Sequence, residues 1–222
     1  MIKEDQPKKT QASIVYDRIR RDILTGQLKP DEPLRVGKLQ ARYETSGSPV
    51  REALNRLAAS GMVCSHDNRG FFVPSISRTE LTDLYKTRTW IEEVALRESI
   101  KNGGVSWEEG IVLSHHRLSR APRKLSGSNN SNPEWEEAHR AFHLALVNAC
   151  ESRFLMHFCH QLHDQSDRYR QFALTVAPDR DSDQEHVGLM QATIDRDAPK
   201  AIALLHEHYE QTQHIILQTG LE

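Results

Sequence analysis

Histidine is the residue type with the most chemistry to offer in this chain: there are 12, and 11 of them lie beyond residue 75. His139 and His143 stand four apart, so on a helix their rings share a face and can reach one ion. His186 opens a later helical stretch, and His208 follows 22 residues further on. A short turn at Asp195–Pro199 folds these two stretches back on each other and brings the two rings close. Four neutral imidazoles drawn from three helices suit Zn, Ni, Cu or Fe and do not suit Mg or Ca. Taken singly, each of the four is equally an ordinary solvated or hydrogen-bonded histidine. His157, His160 and His163 are spaced by three, so their faces drift around a helix. Their neighbours Phe154, Phe158 and Leu162 read as core, which puts the three histidines at a pocket rim or on the surface. His115 and His116 point to different faces, and His206 and His214 sit off the His208 face.

A second kind of chemistry lies in Ser48-Pro49-Val50-Arg51-Glu52-Ala53-Leu54-Asn55-Arg56-Leu57. Ser48 can cap the free backbone N–H groups of a first helical turn, and Pro49 then occupies the position a helix tolerates best. Val50, Ala53, Leu54 and Leu57 recur at the helical period and face inward. Arg51 and Asn55 fall on another face, with Arg56 beside it. A short helix with a small polar N-terminus and arginines on its open face suits a DNA major groove. It also suits an amphipathic helix whose arginines are simply solvated.

The flanking elements narrow that choice. Ile14, Ile19, Ile23 and Leu24 mark a first amphipathic helix closing at Gly26. The stretch Leu28-Lys29-Pro30-Asp31-Glu32-Pro33-Leu34 is a turn with two prolines. Val36, Leu39 and Tyr43 give a short second helix, and Gly47 lies in the bend before the third. Helix, tight turn, capped helix is the helix-turn-helix pattern. After it, Gly61–Ser65 is a short extended run, His66–Gly70 a turn, and Phe71–Val73 a returning strand closed by Pro74. That is a hairpin with a basic tip, a wing, in which Gly70 supplies the positive φ a tight turn often needs.

This first third resembles the winged helix-turn-helix domain of GntR-type bacterial transcription regulators. The resemblance is carried by Tyr16–Gly26, Leu28-Lys29-Pro30, Pro49-Val50-Arg51-Glu52-Ala53-Leu54 with Leu57, and Arg69-Gly70-Phe71-Phe72-Val73. It implies DNA contacts from Ser46, Ser48, Arg51 and Asn55 in the major groove and from Arg69 and Gly70 at the wing. One departure stands out. The family usually has an arginine just before the Thr/Ser-Pro of the recognition helix, where it reads a guanine, and here that position is Gly47. The resemblance therefore predicts DNA binding better than it predicts the operator.

Beyond a linker at Ser75-Ile76-Ser77-Arg78, where Ser77 and Glu80 form a capping-box pattern, the periodicity predicts six helices, at about 78–101, 105–120, 134–149, 153–176, 182–195 and 198–218. They are separated by Gly103-Gly104, a low-complexity Ser126–Pro133 loop, Ala177-Pro178-Asp179 and Asp197-Ala198-Pro199. This is an antiparallel helical bundle. It is similar to the FCD effector domain of FadR-like GntR regulators, on His139-Arg140-Ala141-Phe142-His143-Leu144-Ala145-Leu146, Glu185-His186, Asp197 with Ala201, and Glu207-His208. In metal-binding members an Asp and three His hold a divalent metal. His143, His186 and His208 match the histidines, and His139 replaces the Asp. That replacement either makes an all-nitrogen site for a softer metal, zinc or nickel first, or weakens the site. The branch senses small organic acids, which implies an effector carboxylate clamped by Arg88 on the first effector-domain helix, with Arg168 and Arg170 as weaker candidates. Arg88 has an equal alternative in a salt bridge to Glu92 one turn on.

Length and charge agree with two modules. The chain has 222 residues, enough for two modest cores. Its net charge of −2 hides an asymmetry. Residues 1–75 carry 13 Lys and Arg against 9 Asp and Glu, a net of +4; the remaining 16 against 22 give −6. A basic front and acidic back suit a front that meets phosphates. No apolar run reaches the roughly 18 residues of a membrane span, and the polar residues 1–9 read as a disordered leader, not a signal peptide. Cys64, Cys150 and Cys159 match no zinc pattern and fit a reducing cytoplasm. The sequence thus predicts a mainly α protein: a leader at 1–9, a winged helix-turn-helix with a small β wing at 10–75, and an effector-binding bundle at 76–222. Its partners would be an operator duplex, an organic acid and a second copy of itself in a homodimer, with no membrane, and its action most naturally repression. Two rivals remain at this point: a metal hydrolase or oxygenase built on the His cluster, for which Glu185 and Glu207 are the only neighbouring bases, and a regulator whose metal is purely structural.

Overall fold

The computed structural model describes residues 9–125, 132–174, 182–218 and 221. The leader expected at 1–9 lies outside these residues except for Lys9, whose ammonium pairs with Asp17 at 2.8 Å. Most of the expected Ser126–Pro133 and Ala177–Asp179 loops likewise lies outside them. The chain divides into two compact units, residues 1–75 and 76–222.

In the first unit, α1 (Gln11–Leu24), α2 (Val36–Tyr43) and α3 (Gly47–Ala59) precede β1 (Cys64–His66) and β2 (Gly70–Phe72). Thr10 caps α1 by accepting the Ser13 N–H, and Gly26 follows its end at φ +70°. The core is entirely apolar: Val15, Ile19 and Ile23 of α1 meet Leu39, Val50, Leu54 and Leu57, closed beneath by Met62, Val63 and Val73. Fully burying each such side chain contributes about 1.5–3 kcal/mol. The wing is antiparallel, with His66 opposite Gly70 and Cys64 opposite Phe72. Asn68 and Gly70 both adopt positive φ in its turn. The first strand begins at Cys64, because Gly61, at φ +74°, still belongs to the turn leaving α3.

In the second unit α4 (Arg78–Asn102), α5 (Val105–Arg120), α6 (Pro133–Val147), α7 (Arg153–Leu174), α8 (Asp183–Ile194) and α9 (Ala198–Leu217) form the expected bundle, each within two residues of its predicted ends where both ends are described. Ser77 accepts the Glu80 N–H at the start of α4, Asn132 that of Glu134 before α6, and Asp197 that of Lys200 before α9. Leu81, Leu96, Ile111, Phe142, Leu146, Leu189 and Leu205 make the apolar part of the core. A correction falls on α7. Phe154 and Phe158, expected inside, are exposed, and His163, expected at a rim or surface, is fully buried. The helix turns its Cys159–His163–Ser166–Tyr169 edge inward instead. His157 and His160 are exposed as expected.

Candidate DNA-reading face and histidine centre

The helix α3 starts two residues earlier than the cap pattern implies. Ser46, not Ser48, is its N-cap residue, and no side-chain cap bond forms there. Pro49 is therefore the third helical residue, still among the positions whose N–H has no intrahelical partner. Ser46, Ser48, Arg51 and Asn55 are all exposed, as a consequence of the inward turn of Val50, Ala53, Leu54 and Leu57. Arg56, also exposed, donates to Ser13 Oγ at 3.2 Å and lies over the Tyr16 ring, which ties α3 to α1.

Between α3 and the wing runs a concave surface lined by Pro33, Arg35, Val36, Arg51, Arg69, Gly70 and Phe72, among others. Three arginines thus face one groove, a placement suited to phosphates and base edges. Arg69 lies over Phe72 with its guanidinium carbon 5.6 Å from the ring centre. Arg35, the residue preceding α2, was not singled out from the sequence. Its signal was available, since a basic side chain at the start of the first helix of such a motif sits where that helix crosses the DNA backbone.

In the second unit His139, His143, His186 and His208 converge, with one ligating nitrogen of each within 4.8 Å of the others. All four are buried. The α6 pair sits one turn apart with the two Nε2 atoms 3.2 Å from each other, and the antiparallel α8–α9 turn brings the His186 and His208 rings to 4.9 Å. Burial first, and then neighbouring Arg170 and the other imidazoles, hold His139 well below the usual histidine range; burial and the surrounding rings and Arg88 do the same for His143. Neutral rings are the form a cation needs.

Two observations test whether a metal fits. His143 Nδ1 is buried and has no hydrogen-bond partner among the described residues. The four ligating nitrogens lie within 4.8 Å of one another, wider than the about 3.3 Å edge of a tetrahedral site with bonds of about 2.0–2.1 Å, so binding would draw the rings inward by up to roughly 1.5 Å. The donor set fits a transition cation.

Two polar networks flank the cluster. On one side Arg88 gives Nε to Glu92 at 2.7 Å, Nη1 to Ser166 at 2.7 Å and Nη2 to His163 at 2.9 Å, and lies over the Tyr209 ring. Tyr209 Oη donates to Glu92. Burial pushes the Glu92 carboxyl up, but Arg88, His163 and Tyr209 overcome it and hold it at about 2. The Arg88–Glu92 pair is thus formed, and it is buried. On the other side Arg170 donates to His139 Nδ1 at 3.0 Å, to Glu136 at 2.5 Å and to Asp167 at 2.7 Å. Arg170, ranked below Arg88 from the sequence, is the arginine that touches the cluster; Arg168 turns toward the linker and pairs with Glu80 at 3.5 Å. His208 Nδ1 meets Glu185 Oε2 at 2.8 Å. Glu185 points away from its sequence neighbour His186, as helical spacing requires, and reaches across to α9 instead.

A winged helix followed along the chain by a helical bundle with a polar core is the build of a transcription regulator. Residues 11–73 match the gntR family of bacterial regulatory proteins and residues 83–211 match the FCD domain. The chain is 38% identical to the HTH-type transcriptional regulator BphR of Paraburkholderia xenovorans over 93% of its length and 85% of that protein. It is 33% identical to the HTH-type transcriptional repressor GlaR of Escherichia coli, over 87% of this chain and 90% of that one. Its fold is shared with Escherichia coli McbR/YncC at a TM-score of 0.78 and 20% identity, covering 95% and 99% of the two chains. The protein belongs to the GntR family of DNA-binding transcriptional regulators, in the group that carries an FCD domain. It is a regulator, not a metal hydrolase or oxygenase. No helix among the described residues is long and apolar enough to cross a membrane.

Proposed function

We propose that this protein is a cytoplasmic, homodimeric repressor whose operator affinity is set by a small organic acid bound beside a divalent transition metal, zinc or nickel, in the bundle. The observation that carries the reading is the convergence of four buried imidazoles in the FCD domain. The cation would be held within the cluster of His139, His143, His186 and His208, and a bound cation would supply a Lewis-acidic point for an anionic oxygen.

Two copies present Ser46, Ser48, Arg51 and Asn55 to successive major grooves, with Arg69 and Gly70 at the minor groove or backbone, as half-site geometry requires. In the bundle, Arg88 offers the acid two N–H donors. Its Nη1 and Nη2 now serve neutral acceptors, Ser166 and His163, while Glu92 retains Nε. A carboxylate accepts charge-assisted bonds roughly twice as strong as neutral ones and would displace those two. Both displaced partners sit on α7, and α7 also reaches the linker: Tyr169 Oη donates to Glu80 at 2.5 Å and accepts the Ser77 N–H at 3.4 Å, with Arg168 pairing Glu80 beside it. A shift of α7 is therefore felt at the residues that lead to the DNA-binding unit, and binding of the acid changes the population of the operator-competent geometry.

The test is an operator selected from a random duplex pool, titrated with the protein in the presence of zinc and a panel of two- to six-carbon mono- and dicarboxylic acids. At least one acid should weaken operator binding by tenfold or more, and Arg88→Lys should blunt that response while leaving operator affinity without acid unchanged. An operator affinity indifferent to every acid, with melting still raised by zinc, would mean a structural metal.

A further inference from the structure

We infer that His139 is not a ligand of the cation: the structure assigns the metal to His143, His186 and His208 and makes His139 a hydrogen-bond donor at its side, with the fourth position left open. This rests on the metal reading above and concerns which of this chain's own residues take part.

Arginine carries only donors, so the nitrogen it meets must be the accepting one. Arg170 Nη1 lies 3.0 Å from His139 Nδ1, which places the ring's single proton on Nε2. That is the nitrogen facing the cluster, 3.2 Å from His143 Nε2. A nitrogen bearing a proton has no lone pair for a metal. To ligate through Nε2, His139 would have to move its proton to Nδ1, where it would confront an Arg170 N–H. Arg170 is not placed to yield: its other terminal nitrogen is held by Glu136 and Asp167, and its guanidinium lies over Trp135, the ring on which His139 itself stacks at 4.8 Å.

His208 shows the opposite arrangement. Its Nδ1 faces the Glu185 carboxylate at 2.8 Å, so Nδ1 carries the proton and Nε2 keeps its lone pair. A carboxylate behind a ligating imidazole is the usual support of a metal histidine and raises its basicity; a guanidinium behind one withdraws it. His143, His186 and His208 lie 4.9–5.4 Å from one another, centre to centre, and His139 lies 4.5 Å from His143, 5.2 Å from His186 and 6.3 Å from His208, so the proton position on His139 and not its distance sets it apart. Three protein ligands with a fourth position free is the arrangement that admits an exogenous oxygen, and the His139 Nε2–H is at hand to donate to it.

The test measures zinc affinity of the full chain by competition with a chromophoric chelator, for wild type and for His139→Phe, His139→Ala, His143→Ala, His186→Ala and His208→Ala, with a melting curve on each metal-free variant to confirm folding. His139→Phe keeps a ring on Trp135 and guards against a collapse caused by the alanine. Loss of a ligand should lower affinity by well over about a hundredfold, and loss of a neighbour by no more than about ten- to a hundredfold. Long-range proton–nitrogen NMR of the zinc-loaded wild type should show His139 as a neutral ring with its proton on Nε2 and zinc on the other three. If both His139 variants lose zinc as completely as His208→Ala, or if a His139 nitrogen carries the zinc signature, the assignment is overturned while the metal reading stands. If wild type binds no zinc at all, the metal reading falls and this inference with it.

Discussion

In the winged helix the buried core is hydrophobic, with the Tyr43 hydroxyl given to Asp22, and the residues proposed to meet DNA are exposed: Ser48, Arg51 and Asn55 on one face of α3, with Arg35 and Arg69 lining a groove beside Arg51. In the bundle the order is reversed. Among the described residues, every buried polar or charged one lies beyond residue 75, and Arg88, Glu92, His139, His143, His163, Asp167, Arg170, His186 and His208 sit where leucines would otherwise pack. The first unit can lose a functional side chain and keep its fold. The second cannot remove one partner without leaving another stranded out of water. A DNA-binding unit needs an open face and a rigid support, whereas a bundle that buries its charges needs a counterpart for each of them.

The largest effect that would sharpen this contrast is on stability. Glu92→Gln leaves the Arg88 guanidinium buried beside a neutral amide and should cost about 3–5 kcal/mol in urea unfolding of the bundle. Arg51→Ala, on the exposed face of α3, should leave unfolding unchanged within about 0.5 kcal/mol. Equal costs for the two would erase the distinction.

On DNA the same pair should reverse. Arg51→Ala should weaken binding to a selected operator by about 1–3 kcal/mol and relax its sequence preference. Arg35→Ala should weaken operator and random duplex alike and make the salt dependence shallower by about one unit of slope. A salt slope left intact in Arg35→Ala, or an unchanged operator affinity in Arg51→Ala, would remove those residues from the DNA-reading face.

A smaller effect should appear with pH. The Glu92 carboxyl is held at about 2, below its ordinary 4.5, despite burial, by Arg88, His163 and Tyr209. A depressed carboxyl contributes stability that is present above its unfolded pKa and is lost as pH falls toward the folded one. The metal-free bundle should therefore lose stability between about pH 4.5 and 2 with a steeper slope than Glu92→Gln, measured by urea titration at each pH. Parallel slopes would mean that Glu92 is not the group responsible.

The contrast also explains what was legible in the sequence. Helix ends are written locally, since caps depend on neighbours only a few residues away: Ser77, read as a cap, accepts the Glu80 N–H, and Thr10, Asn132 and Asp197, not singled out as caps from the sequence, accept a backbone N–H at their own helix starts, whereas Ser48, read as a cap, does not cap α3. The α6 histidine pair and the turn that joins His186 to His208 were legible for the same reason, since spacing on one helix and one short turn fixes them. What was missed is long-range. Phe154 and Phe158 satisfied a core pattern as well as His163 and Ser166 did, and hydrophobicity alone chooses the phenylalanines. The helix turned the other way because Arg88 and Glu92, 75 and 71 residues earlier in the chain, needed partners that phenylalanine cannot supply. Arg170 over Arg168, and Glu185 reaching His208, were hidden likewise: their partners lie on other helices.

The smallest effect separates local from long-range terms most cleanly. Thr10→Ala removes one cap bond at α1, formed between residues three apart and exposed to water, and should cost about 1 kcal/mol. Because that bond touches nothing in the bundle, its cost should appear in the unfolding of residues 10–75 and leave zinc affinity unchanged. Tyr169→Phe removes a hydroxyl that joins α7 to Ser77 and Glu80. It should disturb the response of operator binding to acid more than it disturbs stability, since the hydroxyl joins the sensor to the linker and the ring remains to pack. Should Tyr169→Phe leave that response intact, α7 would not be the element that carries it.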